Sequence, residues 1–340
     1  MKSFVILLIT VSILNGQHCT HRESDGAMGM NYKPLFPAFS KDIINYVNKV
    51  ANTTWTANTT SSVFLSVNDV KRRLGVVDDP NRFRLPKLCK MMTDEQKKNI
   101  PDSFDAREKF ESCESIKTVG DHGDCAASWA FAAVESINDR LCVLEKGKAP
   151  LSVKDVLTCC GPLCGSGCGG GISAAAWDFW VHHGIVTGKD GCKPYPFKER
   201  KVATDSEKTC SDVDTPKCTD TCVGDLVYSD SKVFGERAYT LKNDELQIRD
   251  EIMKYGSVQA ELDVYADFVS YKDGIYEHVA GHKLGAHAVR IIGWGEEEGI
   301  KYWLCINNWN TEWGKEGTFK IKRGTNECNI EMNVNSGIPK

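Results

Sequence analysis

The sequence predicts an α+β fold in two lobes. Three observations point to it. A long gap-free helical pattern lies early in the cysteine-rich part of the chain, and runs with strand character lie late in it. Hydrophobic residues make up 41% of the 340 residues, which supplies a sizeable core for one large domain or two small ones. Fifteen cysteines, set behind an apolar N-terminus, point to a disulfide-stapled body.

Lys2 precedes the apolar run FVILLITVSIL, Phe4–Leu14, and the polar NGQHCTH follows at once. That run is too short to cross a bilayer and has the flanks of a signal peptide over 1–16, cut near Gly16. Nothing later is long and apolar enough to span a membrane, so a protein of the secretory pathway is expected, extracellular or lysosomal. Residues 17–99 hold only Cys19 and Cys89 of the fifteen cysteines. Ser40 is a candidate cap for a helix with Ile43, Ile44 and Val47 on one face. SVNDVKRRLG places Val67, Val70 and Leu74 at helical spacing and stops at Gly75. Asn52-Thr-Thr and Asn58-Thr-Thr are glycan acceptor triplets. Asp78–Asn99 is polar, carries Pro80 and Pro86, and reads as a linker.

From Ile100 the chain is denser. DCAASWAFAAVESINDRLCVLE, 124–145, lacks Gly and Pro and places Trp129, Ala133, Ile137 and Leu141 on one line, with Asp124 as the expected N-cap and Ser128 in the first turn. TCCGPLCGSGCGGG, 158–171, is too rich in glycine for a regular element, and 186–225 reads as loop. YTLKNDELQIRDEIMKYG predicts a further helix; AHAVRIIGWG, IKYWLCINNW and GTFKIKRG predict strands, with Cys305 and Cys328 expected as buried, inert thiols.

The net charge of −4 and the lack of a basic run exclude a non-specific nucleic-acid binder. Cys159, Cys160, Cys164 and Cys168 fit a tetrahedral zinc poorly, because adjacent cysteines rarely reach one metal; disulfides suit a secreted chain better, and no metal or cofactor is expected.

DCAASWAF resembles the nucleophile segment of the papain family of cysteine proteases, and GAHAVRIIGWG and CINNWNTEWG resemble the segments carrying that family's histidine and asparagine. The gaps exceed slightly the roughly 130–150 residues usual between them, which fits an insertion. LTCCGPLCGSGCGGG, GIVTGKDGCKPYPF, DTPKC, EIMKYG and SGIPK are similar to the cathepsin B branch; IPDSFDARE resembles its mature start and FSKDIINYVNKVANTTW its propeptide. The resemblance implies a papain-like fold, a helical lobe beside a β-barrel-like lobe, with a helical propeptide over 17–99 and the peptidase-type domain over 100–340. It places Ser128 at the nucleophile, His287 at the base, Asn307 at the orienting position and His122 where the family has an oxyanion-hole glutamine. Gly170 and Gly171 fall where substrate backbone binds, Trp309 beside the His287–Asn307 bond, and Asn333 where the branch has an acid at the base of the S2 pocket, so a preference for arginine there should weaken. The implied disulfides are Cys113–Cys142, Cys125–Cys168, Cys159–Cys218, Cys160–Cys164 and Cys192–Cys222, with Cys210 unpaired.

The departures govern the expected chemistry. A helix N-terminus and an imidazolium can ionise a thiol. They cannot hold a serine hydroxyl as alkoxide, so Ser128 would need His287 to take its proton during attack, without the carboxylate that a serine protease uses. His122 replaces an amide donor, and Ala126 and Ala286 replace glycines beside the cleft, where a methyl group would crowd substrate or restrict φ. The expected function is a catalytically impaired homologue that keeps a peptide-shaped cleft. Its expected partners are peptides or proteins in the cleft, cystatin-like inhibitors and its own propeptide, with no nucleic acid, no membrane and a monomeric state. The alternatives are a slow hydrolase using Ser128, His287 and Asn307, and a proprotein that is never processed. Cathepsin B trims C-terminal dipeptides with two adjacent loop histidines; residues 193–209 contain none, and His182-His183 lies before Cys192. Lys198, Arg200 and Lys201 form a basic stretch in that loop able to attract a carboxylate, with a solvated, exposed stretch the expected reading.

Overall fold

Ser40 accepts the amide of Ile43 at 3.2 Å and starts α1 (Lys41–Lys49), whose Ile43, Ile44 and Val47 are buried. In the same way Ser66 accepts the amide of Asp69 and starts α2 (Val67–Arg73). Between them lies β1 (Trp55–Ala57). The structure is a computed structural model that describes residues 33–340 apart from 59–63, 65, 80, 90, 148–149 and 198–212. The expected signal peptide, Cys19, Cys210, Lys198, Arg200 and Lys201 lie outside the described residues.

The Asp78–Asn99 stretch is not a free linker. Leu85 is buried, and Pro86 and Leu88 exchange backbone hydrogen bonds with Thr240. A capping box between Thr93 and Gln96 starts α3 (Asp94–Lys98). The few apolar anchors are hidden among charges, which is why composition alone suggests a linker.

β2 (Phe104–Asp105), α4 (Ala106–Lys109) and α5 (Glu114–Lys117) lead to α6 (Ser128–Val143), with Trp129, Ala133, Ile137 and Leu141 all buried. Asp124 does not cap α6. Its carboxylate pairs with Arg73 Nη2 at 2.8 Å, and the helix starts at Ser128 with no side-chain cap. α7 (Val153–Cys159) and α8 (Ser173–His182) complete the helical lobe, whose core joins Trp129, Ile137, Trp177 and Trp180. The rest of the chain contributes β3 (Gly235–Thr240), α9 (Glu245–Tyr255), β4 (Val258–Tyr265), β5 (Tyr271–Tyr276), β6 (Lys283–Glu297), β7 (Ile300–Ile306), β8 (Thr318–Lys322) and β9 (Val334–Pro339). The strand order is β1-β5-β8-β7-β6-β4-β9-β3, with β2 on β6; among the described strand pairs only β5–β8 is parallel. β1 is the edge strand: Trp55 faces Gly274, and Ile275 and Thr54 exchange hydrogen bonds. The barrel core takes in Ile43, Val47 and Trp55 of the N-terminal segment.

Among the described residues five disulfides staple the body: Cys113–Cys142, Cys125–Cys168, Cys159–Cys218, Cys160–Cys164 and Cys192–Cys222, the pairings that the family resemblance implies. Cys305 is buried in β7. Cys328 is not on a strand; it sits at positive φ in a 3-10 turn, half-buried beside Glu327. Burial pushes both thiols well up, so neither offers a thiolate at neutral pH.

The lobes are bolted together through α6. Arg290 of β6 pairs with Asp139 at 2.7 Å and with Glu135 at 3.2 Å, and Asp139 also accepts from Ser257 at 2.5 Å. Arg140 pairs with Glu251 at 3.0 Å and donates to the carbonyls of Ser257 and Gly337. Asp139→Ala leaves the Arg290 guanidinium buried with less compensation. It should lower unfolding stability by about 3–5 kcal/mol, read as a lowered denaturant midpoint; a loss within error of zero would show that the pair is dispensable.

Candidate active site

Cys125–Cys168 ties the turn before α6 to the glycine-rich loop, and Ala126 N–H donates to Cys168 O at 3.1 Å. Ser128 is thereby held in the first turn of α6, fully buried, at the wall between the lobes. Its Oγ accepts from Ala288 N–H at 3.4 Å and from Gly75 N–H at 3.3 Å. Ala288 follows His287 on β6.

His287 Nε2 donates to Asn307 Oδ1 at 2.8 Å, and Asn308 N–H donates to the same oxygen at 2.8 Å. Two donors on Oδ1 fix the amide orientation and place the imidazole proton on Nε2. Nδ1 is then a lone pair, buried and without a partner among the described residues. The buried Trp309 ring lies 4.5 Å from the imidazole, centre to centre, and Phe64 meets that indole edge-on at 4.8 Å.

His122 Nδ1 faces the carbonyl of Gly123 at 3.2 Å, so that nitrogen carries the proton and Nε2 is the lone pair, again buried and unpartnered among the described residues. Tyr195 holds the His122 carbonyl at 2.9 Å. Burial pushes His122 down to about 3, aided by the Arg73 charge. Burial also pushes His287 down to about 3, aided by His122 and opposed by Asn307. Both rings are neutral in this state.

The N-terminal segment fills the groove as an extended strand. Gly171 N–H donates to Gly75 O at 2.8 Å, Val77 N–H to Gly171 O at 3.0 Å and Val76 N–H to Ala286 O at 3.2 Å. Gly171 and Ala286 are thus the backbone rails of the groove, and Gly170, at φ 104°, shapes the turn beside them. The restriction of φ expected at Ala126 and Ala286 is not seen: neither has positive φ, and Val76 of the extended chain bonds the Ala286 carbonyl. Gly75 must be glycine for lack of space. A Cβ there would lie 2.8 Å from Ser128 Oγ and closer still to Ala126 O.

Asn333 lies at the far side of β4, its carbonyl accepting from Glu261 N–H at 3.3 Å. Asn52 and Asn58 are exposed. His182 and His183 end α8, engaged with Asp178 and Phe179. The role of Gly75 was not visible beyond its mark as a helix stop. The Arg73–Asp124 pair and the Asn308 amide carry no local signal at all.

The sequence profile described as "Papain family cysteine protease" matches residues 100–338, and the one described as "Peptidase family C1 propeptide" matches 39–80. The chain belongs to the papain family of cysteine proteases. Relatives within it include cathepsin B-like proteinases. The chain is 43% identical over 321 residues to cathepsin B-like cysteine proteinase 6 of Caenorhabditis elegans, covering 88% of this chain and 83% of that one. It is 38% identical to a cathepsin B-like cysteine proteinase of Schistosoma japonicum, covering 100% of each. Among solved structures, proCathepsin B S9 from Trypanosoma congolense superposes with a TM-score of 0.78 at 33% identity, covering 90% of this chain and 100% of that one. The strand in the groove is therefore part of a papain-family propeptide.

Gly75→Ala should prise the propeptide off Ser128. Amide protection at Val76 and Val77 should then drop at least tenfold in hydrogen exchange, and unchanged protection would show that the segment yields without cost. Closure should also depend on pH. The closed groove keeps both imidazoles neutral down to about 3, and part of what holds His122 down is the charge of Arg73, a propeptide residue, so departure of the propeptide raises the proton affinity of that ring. The open state then binds more protons below the ordinary histidine range, so closure should weaken on acidification, by at most about tenfold per pH unit for that imidazole. Exchange rates at Val76 and Val77, corrected for intrinsic chemistry, should follow that slope, and His122→Gln should reduce it. A flat profile between pH 7 and 4 contradicts this coupling.

Proposed function

We propose that the protein is a catalytically impaired cathepsin B-like homologue whose groove binds extended peptides. Three atoms support the reading. Ser128 places an oxygen at the family's nucleophile position, and a hydroxyl keeps its proton where a thiol beside an imidazole gives it up. His122 carries a buried lone pair, not an N–H, on the nitrogen turned away from Gly123, at the position where the family uses an amide donor for the oxyanion; one lost donor costs roughly 10²–10³-fold. Asn307 is neutral and cannot stabilise an imidazolium as a carboxylate does. The observation that carries the reading is the Ser128 hydroxyl itself, which accepts two backbone N–H groups and touches no ionised base.

A second reading, a slow serine-dependent hydrolase, has one observation in its favour: His287 already holds the tautomer of a general base, with Nε2–H on Asn307 and Nδ1 free. The signal peptide, the exposed Asn52 and Asn58 and the five disulfides support a passage through the secretory pathway with glycans at those two sites. Peptides, proteins and cystatin-like inhibitors are the proposed occupants of the groove once the propeptide leaves, and the body is proposed to act as a monomer.

The test is peptide turnover by the processed protein beside Ser128→Cys, Ser128→Ala and Ser128→Cys/His122→Gln. Native turnover should be indistinguishable from Ser128→Ala. Ser128→Cys should gain activity, and His122→Gln should add roughly another 10²-fold. Native activity that vanishes in Ser128→Ala would establish the hydrolase instead.

A further inference from the structure

Beyond Ser128 the propeptide does not leave the groove directly. Asp79 makes a turn, its side chain accepting from Asn81 N–H at 2.8 Å and its carbonyl from Arg82 N–H at 3.1 Å. The turn throws the Arg82 side chain back under its own strand. There Nη1 donates to Val77 O at 2.8 Å and Nη2 pairs with Glu261. The arginine side chain is about one-tenth exposed and the glutamate less.

Glu261 sits in the middle of β4, opposite Ala288 on β6, the residue whose N–H reaches Ser128. Its neighbour Leu262 faces His287. The carboxylate is therefore built into the floor of the groove, one strand from the site already described. Burial raises its proton affinity, and the groups that pull it back include Arg82 and Arg84, both in the propeptide. A buried carboxylate without a cation is costly. Once the propeptide departs, the floor keeps the acid and loses both guanidinium groups.

We infer that Glu261 forms a recess in the groove that selects a guanidinium side chain of a bound peptide, and that Arg82 is its built-in occupant. The acid that the relatives' pattern puts at 333 is absent here, and Glu261, whose N–H bonds the Asn333 carbonyl, supplies the charge from the adjacent strand. The weakened preference for arginine expected from Asn333 is thereby reversed. A planar fork suits this place better than an ammonium, because one arm reaches the carboxylate and the other a backbone carbonyl of the same bound chain. The inference rests on the reading of the groove as a peptide-binding site.

The full-length protein is folded, cut just before Ile100, and freed of its N-terminal piece. Binding of a synthetic peptide of residues 66–85 is then measured by fluorescence anisotropy, beside the same peptide with citrulline at position 82. Citrulline keeps the shape and removes the charge. The arginine peptide should bind about ten- to a hundredfold tighter, and Glu261→Gln should abolish that difference while leaving the citrulline peptide's affinity unchanged, which also reports that the variant is folded. Asn333→Ala should keep the preference. Equal binding of the two peptides to the unmutated body overturns the recess and leaves the groove standing. If neither peptide binds, the groove reading fails and the recess with it.

Discussion

The ionic bolt between α6 and β6 is the constraint on which the rest of the molecule depends. Ser128 and His287 come from different lobes, one from a helix N-terminus and one from a strand. Their relation is set by how α6 lies against β6, and that is fixed by Arg290 reaching Asp139 and Glu135 across the seam. The same guanidinium also holds the carbonyls of Ser115 and Thr118, the approach to the Ser128 turn. Buried charges are weak evidence for stability but good devices for register. Here the register that matters is that of a hydroxyl and an imidazole on opposite walls.

On the proposed reading, the groove is complete as a receptor and deficient as a catalyst for separable reasons. The backbone rails at Gly171 and Ala286 bind an extended chain with main-chain hydrogen bonds alone. A single oxygen at position 128 removes the acid strength that the family's chemistry uses, and the His122 tautomer removes a donor. None of these changes touches the rails. The propeptide exploits the intact part: its strand, its glycine over Ser128 and its Arg73–Asp124 pair need no catalytic competence.

What the sequence makes legible follows the range of the interactions. Ser40 and Ser66 act on amides three residues away, so their helices can be read from local pattern. Asp124 has the right residue type for a cap, but its carboxylate is claimed by Arg73, 51 residues earlier. Arg82 and Glu261 stand 179 positions apart and carry no shared motif. Cys328 lies in a polar stretch whose alternation imitates a strand, whereas Asn326 and Asn329 cross-link it into a turn. The grouping of Ser128, His287 and Asn307 was legible only because a family pattern joins distant segments; the tautomers of the two histidines depend on carbonyl and amide oxygens that no sequence pattern places.

On the proposed reading, in which the propeptide leaves, the pairing of β1 with β5 has a consequence for the body left behind. Trp55–Ala57 covers the outermost strand of the barrel. Its loss strips a row of main-chain donors and acceptors along Tyr271–Tyr276, the kind of open border on which other chains can add themselves. Lys272 and Asp273 set charges along that border, Asp273 already clasped by Lys315, which blunts it against self-association. A body so processed trades an intramolecular strand for electrostatic fencing.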